Sequence, residues 1–166
     1  FGFMYDKEYF VMKKDIDKKK ILKDIVVPVL IAGVLVFIFT RFFGIGFIDG
    51  VSMKPSYHNG QIFLYSKTSE VEKGDVVVFK AREIKADLVK RVIATQGDKL
   101  EIKDGKTYID GTSIDESFIK HKDKATVVSV VIPRGYVFVI GDNRTHSIDS
   151  RRVGLVKASD IYGKVS

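Results

Sequence analysis

Residues 25–43 read IVVPVLIAGVLVFIFTRFF, and only Thr40 and Arg41 interrupt the apolar run. A segment that is oily on every side has no polar face to turn towards water, so it suits a bilayer better than a surface helix. A buried core helix would be striped, and this run is not. Its uncharged part, from Ile25 to Thr40, falls slightly short of the ~20 residues a straight helix needs to span the hydrocarbon. The span lengthens to Phe47 if Arg41 extends its charged head to the lipid headgroups, with Phe42, Phe43 and Phe47 as apolar anchors. Pro28 near the first turn costs little, because its missing N–H has no helical partner there. Lysines ahead of an apolar stretch also suit a cleavable secretory signal. The nearest approach to a small-x-small cut site is Gly44-Ile45-Gly46, so an uncleaved anchor is expected.

The flanks give the span a direction. Lys13, Lys14, Lys18, Lys19, Lys20 and Lys23 crowd its N-terminal side, against Arg41 and Lys54 soon after it. By the positive-inside rule, residues 1–24 are a cytoplasmic basic tail, 25–43 a single-pass transmembrane anchor, and 44–166 an extracytoplasmic domain. Phe1 rather than Met opens the chain, which suggests residues upstream.

Of 166 residues, those after the span suffice for one core of ordinary domain size. The net charge of +7 is dispersed among acids rather than gathered into a nucleic-acid-binding stripe, and suits contact with anionic lipid. With no cysteine, disulfides and cysteine-zinc sites are excluded. Three scattered histidines show no metal-ligand spacing, and no phosphate-cradling glycine loop is present, so neither metal nor cofactor is implied.

Beyond the span, period-two and β-branched patterns predict strands at 61–66, 75–79, 88–94, 99–102, 107–109, 126–132 and 136–140. Turn signals separate them: His58-Asn59-Gly60, Lys73-Gly74-Asp75, Gln96-Gly97-Asp98, Asp104-Gly105, Asp110-Gly111 and Pro133-Arg134-Gly135. Asp104-Gly105 predicts a tight hairpin. The polar stretch 115–124 reads as an exposed loop and 158–162 as a helical turn. The fold class is therefore mainly β, an antiparallel sheet or barrel-like domain behind one transmembrane helix.

Ser52 stands in Gly50-Val51-Ser52-Met53-Lys54-Pro55, a few residues past the span. Alone it is an ordinary turn serine, since a hydroxyl is a weak nucleophile until a base takes its proton. Lys90 is one candidate base. In Asp87-Leu88-Val89-Lys90-Arg91-Val92-Ile93 it shares a strand face with Leu88 and Val92. Burial there disfavours the ammonium form and brings the amine towards neutrality, whereas a solvated strand lysine has no such role. His146 is the rival, since Ser-His-Asp triads occur in several chain orders. His58 and His121 read as solvent-exposed turn residues. The segment 141–154 is dense in charged and turn-forming residues. Asp142, Arg144, Asp149 and Arg151 suggest a charge network shaping that loop and holding Ser147 in place.

Four segments together resemble bacterial type I signal peptidase, the membrane-anchored serine protease that removes signal peptides from exported proteins. They are Ser52-Met53-Lys54-Pro55, Gly74-Asp75-Val76-Val77-Val78-Phe79, Lys90-Arg91-Val92-Ile93 with Gly97-Asp98, and Gly141-Asp142-Asn143-Arg144 with Ser147, Asp149-Ser150-Arg151 and Gly154. The resemblance runs from the anchor nearly to the C-terminus. It implies that Ser52 attacks the scissile carbonyl, that Lys90 rather than a histidine is the general base, and that Ser147 orients the lysine amine. It makes Asp149 and Arg151 part of a supporting ion-pair network and the fold largely antiparallel β. Gly50 replaces a serine whose hydroxyl helps bind the oxyanion in some relatives, leaving the Ser52 backbone N–H as one donor. Residues 103–132 are few, as in the compact Gram-positive-like type.

The expected substrates are signal peptides of secreted preproteins with small-x-small before the cut, laid along a strand edge. Ile48, Met53, Tyr57 and Val89 are candidate pocket walls by their closeness in sequence to Ser52 and Lys90. The expected partners are the lipid bilayer and the export translocon, without nucleic acid. The alternatives are a related Ser-Lys processing peptidase of the conjugative-pilin type, a self-cleaving repressor, and an anchored β-domain that binds exported proteins without catalysis. The repressor is disfavoured, because residues 1–43 form an anchor rather than a helix-turn-helix.

Overall fold

The computed structural model describes residues 18–68, 70–119, 123, 124 and 126–166; His121 lies outside them. The chain divides into two units, one ending at Phe39 and the other comprising Thr40–Ser166.

Helix α1 (Lys18–Ile21) passes through a π-helical turn (Leu22–Val26) into α2 (Val27–Phe42). The stretch Lys19–Phe42 is long and apolar enough to cross a membrane. At 1.5 Å per residue it measures about 36 Å. No residue of α2 is buried, which suits a helix whose whole surface is apolar. The helix begins before Ile25 and stops at Phe42, so the expected lengthening towards Phe47 is replaced by a strand. Gly44 and Gly46 are the reason, since glycine weakens a helix interior, and Phe-Gly-Ile-Gly-Phe has the alternation of a strand. The carbonyls of Thr40 and Phe42, orphaned at the helix end, accept from Lys67 Nζ (2.7 Å) and Lys67 N (2.8 Å).

Unit Thr40–Ser166 is mainly β, as expected. Its strands are β1 (Phe43–Phe47), β2 (Ile62–Ser66), β3 (Val76–Ala81), β4 (Ala86–Ala94), β5 (Lys99–Lys103), β6 (Lys106–Ile109), β7 (Thr112–Ser113), β8 (Val128–Val131), β9 (Tyr136–Ile140), β10 (Val156–Lys157) and β11 (Ile161–Val165). A short helix α3 (Ser150–Val153) follows β9. Two antiparallel sheets result, in the orders β1-β2-β11-β3-β4-β9-β10 and β7-β6-β5-β8. The expected strands all appear within a few residues, while β1, β7, β10 and β11 are additional. The expected turn at 158–162 is a single 3₁₀ turn, Ala158–Asp160, that leads into β11. Asp104 and Gly105 both take positive φ (53° and 71°), the geometry a two-residue hairpin demands.

Three apolar clusters hold the unit together. Val77, Phe79, Val92 and Val139 fill one side of the larger sheet. Leu100, Ile102, Ile132, Phe138 and Ile140 join the two sheets. Ile48, Met53, Phe63, Val76 and Val78 lie beneath the turn that carries Ser52. Gly44 and Gly46 lie so close under Tyr65 and Phe63 that a Cβ at either would collide with the ring. The outer face of this hairpin keeps Phe47 beside Ile62 and Ile45 beside Leu64, all exposed.

Candidate active site

Ser52 sits in a turn closed by Lys54 N–H to Val51 O (3.2 Å) and Tyr57 N–H to Met53 O (2.9 Å). Met53 is wholly buried and roots the turn in the core. On the other side the loop after β9 grips it. Asn143 N–H donates to Ser52 O (2.9 Å), and Asn143 Nδ2 donates to Val51 O (3.2 Å). Gly141 is what lets this loop approach, because a Cβ there would lie 2.6 Å from Ser52 O and against Ser147 Oγ. The Ser52 N–H has no hydrogen-bond partner among the described residues.

Lys90 stands in β4 opposite Val77, and its neighbours of like parity, Leu88 and Val92, pack with the Val77 cluster. Lys90 is only 3% exposed, so the solvated-lysine alternative fails. Its Nζ donates to Ser52 Oγ across 2.8 Å and to Val89 O across 2.7 Å. Burial lowers its pKa from 10.5 to about 8, against the opposing pull of the Asp149 and Asp142 carboxylates. A hydroxyl bonded to an amine that is partly neutral near pH 8 can pass its proton to that amine.

Asp142, Arg144, Asp149 and Arg151 form separate ion-paired groups rather than one network. The Asp142 carboxylate takes both ends of the Arg91 guanidinium (Nε–Oδ1 2.9 Å, Nη2–Oδ2 2.7 Å) and a bond from Ser56 Oγ (2.5 Å). Arg144 turns away to Glu116 (2.8 Å), and burial pulls its guanidinium below the usual range despite that partner. Asp149 takes a bidentate bond from Arg151 (2.9 Å at both oxygens) and one from Gly141 N–H (3.0 Å). Arg151 extends to Asp123 (3.0 Å). Burial alone would raise the Asp149 carboxyl; the Arg151 guanidinium overrides it and holds the pKa below the ordinary value. The Ser147 hydroxyl also favours that charge, yet it is buried and makes no well-formed hydrogen bond. The lysine amine is thus held by Ser52 and Val89 O, not by Ser147. The His146 main-chain N–H donates to Asn143 O (3.0 Å), but its ring is exposed, and the one contact of that ring among the described residues is with Thr145 Oγ1 (2.9 Å), with none to Ser52 or Lys90.

Ser52 and Lys90 open onto a cleft of about 450 Å³. Ile48, Met53 and Val89 line it, joined by Phe47, Val78 and Leu88, whereas Tyr57 does not. Tyr57 instead packs on the core beneath the turn. A cavity of similar volume lies behind the loop, lined by Arg144, His146, Ser147 and Arg151, and includes neither Ser52 nor Lys90. One wall of the cleft is the segment 87–90 of β4. Its inner side pairs with β3, but β9 joins β4 only from Arg91 onward, so that edge is open. Arg91, Ser56 and Asn143 were not anticipated as site residues. The one sequence signal for Arg91 was its place beside Lys90, with a long charged side chain in an otherwise apolar strand.

A mainly β domain with a serine and a buried lysine in contact at an open strand edge has the parts of a peptidase. Residues 19–166 match the family described as signal peptidase, peptidase S26, and the chain belongs to it. It is similar to signal peptidase IB of Staphylococcus aureus strain COL, 38% identical over 172 residues that cover 90% of this chain and 89% of that protein. It is also similar to signal peptidase I V of Bacillus subtilis strain 168, 34% identical over 137 residues, 72% of this chain and 81% of that one. Among solved structures, a signal peptidase I from Enterococcus faecalis V583 matches with TM-score 0.53 and 25% identity, over 58% of this chain and 97% of its own. The protein is a peptidase with the fold of that family.

Proposed function

We propose that this chain is a membrane-anchored signal peptidase I that cuts signal peptides from exported preproteins with Ser52 as nucleophile and Lys90 as general base. The observation that carries the reading is the 2.8 Å bond between Lys90 Nζ and Ser52 Oγ, made by a lysine that burial brings near neutrality. The neutral amine takes the hydroxyl proton as Oγ adds to the scissile carbonyl. The oxyanion that forms meets the Ser52 N–H, which is otherwise unpartnered among the described residues. The Lys90 ammonium then returns the proton to the leaving amine, the C–N bond breaks, and the mature protein departs from an acyl-enzyme. Water, deprotonated by the same amine, adds to the ester and releases the signal peptide.

The open edge of β4 at 86–90 supports binding of the substrate as an added strand. In that pose, residues one and three before the cut face the apolar floor formed by Ile48, Met53, Val78 and Val89. The helix Lys19–Phe42 confines the enzyme to the bilayer from which signal peptides must be cut, which raises their effective concentration. The exposed Phe47–Ile62 and Ile45–Leu64 pairs fit the same lipid surface. The lysine-rich flank before the span supports an orientation with the N-terminus in the cytoplasm and Ser52 outside, where exported chains leave the translocon.

The test is a fluorogenic peptide carrying Ala-x-Ala before the cut, presented to the full chain in detergent micelles. Cleavage that disappears in Ser52→Ala supports the reading. Binding without cleavage would leave only an anchored binding domain.

A further inference from the structure

The cleft is not purely apolar. Asp87 lies on its β4 wall and Asp49 near Ser52, both exposed and neither in an ion pair among the described residues. Lys90, buried and engaged with Ser52, is the one cation among the lining residues. Lys80 faces Asp87 across the β3–β4 ladder but makes no ion pair with it. Tyr162 Oη donates to Asp87 Oδ1 across 3.0 Å, which fixes the carboxylate of a residue that lines the cleft and leaves its second oxygen without a hydrogen bond among the described residues.

The register gives Asp87 a place along the substrate. Asp87 and Val89 share a face of β4, by its two-residue period, and Asp87 stands about 10 Å from Lys90 along the strand. An added strand advances at the same ~3.3 Å per residue, and its side chains one, three and five before the cut share a face. The first and third occupy the apolar floor. In a strand laid parallel to β4 with its first residue beside Lys90, the fifth lies about 13 Å back, within side-chain reach of Asp87, and the fourth points away.

We propose that Asp87, held by Tyr162, is a specificity residue that favours a basic over an acidic side chain at the fifth substrate position before the cut. This rests on the signal peptidase reading above, and on the cleft geometry in addition. A solvent-touched pair of this kind is modest, so the spread in kcat/KM between Lys and Glu at that position is about fivefold at low salt. It shrinks towards unity near ~1 M salt, where the screening length is about 3 Å.

The experiment uses the full chain in neutral detergent micelles and Ala-x-Ala peptides with Lys, Gln or Glu at the fourth or the fifth position. The expected result is the order Lys, Gln, Glu at the fifth position and a much smaller spread at the fourth. Asp87→Asn collapses the spread, Tyr162→Phe narrows it, and Asp49→Asn on the other wall keeps most of it. Equal rates for all three peptides, or a spread that survives in Asp87→Asn, overturns the assignment. Failure of the wild type to cut even the Gln peptide in a Ser52-dependent way overturns the underlying peptidase reading instead.

Discussion

The main-chain N–H of Asn143 donates to the carbonyl of Ser52 across 2.9 Å, binding the nucleophile's turn to the loop that follows β9. That bond, with the contact of Lys90 on Ser52, makes three distant stretches of chain into one rigid site. The geometry of Ser52 is therefore sensitive to changes in a loop that never touches the reacting atoms.

Exchange of Lys90 for arginine should remove activity, because a guanidinium stays protonated and cannot accept the Ser52 proton. Loss of a positioned base is worth about 10²–10⁴ in rate, so kcat/KM for the Ala-x-Ala peptide should fall by about that factor. His146→Ala should keep most activity, since the His146 ring is exposed and among the described residues bonds only Thr145, while the main-chain bond to Asn143 survives the change. A complete loss in His146→Ala together with an active Lys90→Arg would return the base to histidine.

The pH–rate profile should rise as Lys90 loses its proton, through about pH 8. A histidine base would instead give a rise near ~6.5. The Asp149 carboxylate favours the Lys90 ammonium, so its neutralisation in Asp149→Asn should move the rise to lower pH. Loss of folding alone would lower the plateau without that displacement. Initial rates on the peptide across the pH range distinguish the two.

Lys90 also makes the fold pay for its chemistry. Its pKa is depressed from 10.5 to about 8, so below pH 8 the folded state holds a buried ammonium that the unfolded chain solvates better. The penalty is on the order of 3 kcal/mol, present in full below pH 8 and lost as pH rises towards 10.5. Lys90→Met should therefore raise the Tm at pH 7, and its advantage over the wild type should shrink at alkaline pH. Paired thermal melts at pH 7 and in alkaline buffer check both the sign and the window.

Gly141→Ala should be damaging although Gly141 has an ordinary φ. Its new Cβ would sit 2.6 Å from the backbone oxygen of Ser52, which cannot swing aside as a side chain can. Overpacking of this kind costs about 1–3 kcal/mol, and the displaced Ser52 should lower kcat more than it raises KM. Ser147→Ala should fail to rescue it, because the contact with Ser52 O remains. Rescue by that second change would show that the Ser147 clash alone matters.

The strands at 99–102, 107–109 and 136–140 were legible because alternation and turn residues are local signals. So was the hairpin at Asp104-Gly105, where the residue types suit positive φ. Strand β1 was obscured because Phe43–Phe47 continues an apolar run, and only its pairing with β2 makes it a strand. Strand β11 joins β2 and β3 from the far end of the chain, a choice that no local pattern encodes. The partners of Asp142 and Arg144 were missed for the same reason. Charge complementarity suggests that an ion pair exists, but Arg91 and Glu116 are selected by which elements arrive beside them.

The amino-acid sequence by itself determined an apolar helix, a mainly β domain behind it, and a serine and a lysine whose surrounding motifs match signal peptidase. The helix and strands follow from side-chain periodicity, which acts over a few residues. Only the tertiary structure decided that Lys90 is buried rather than solvated and that its amine meets Ser52 Oγ and Val89 O. The same holds for Ser147, left without a bond to Lys90, and for the open strand edge at 86–90. Desolvation and hydrogen-bond geometry arise when β4, the Ser52 turn and the loop after β9 close on one another, so their effect on the lysine exists only in the folded chain.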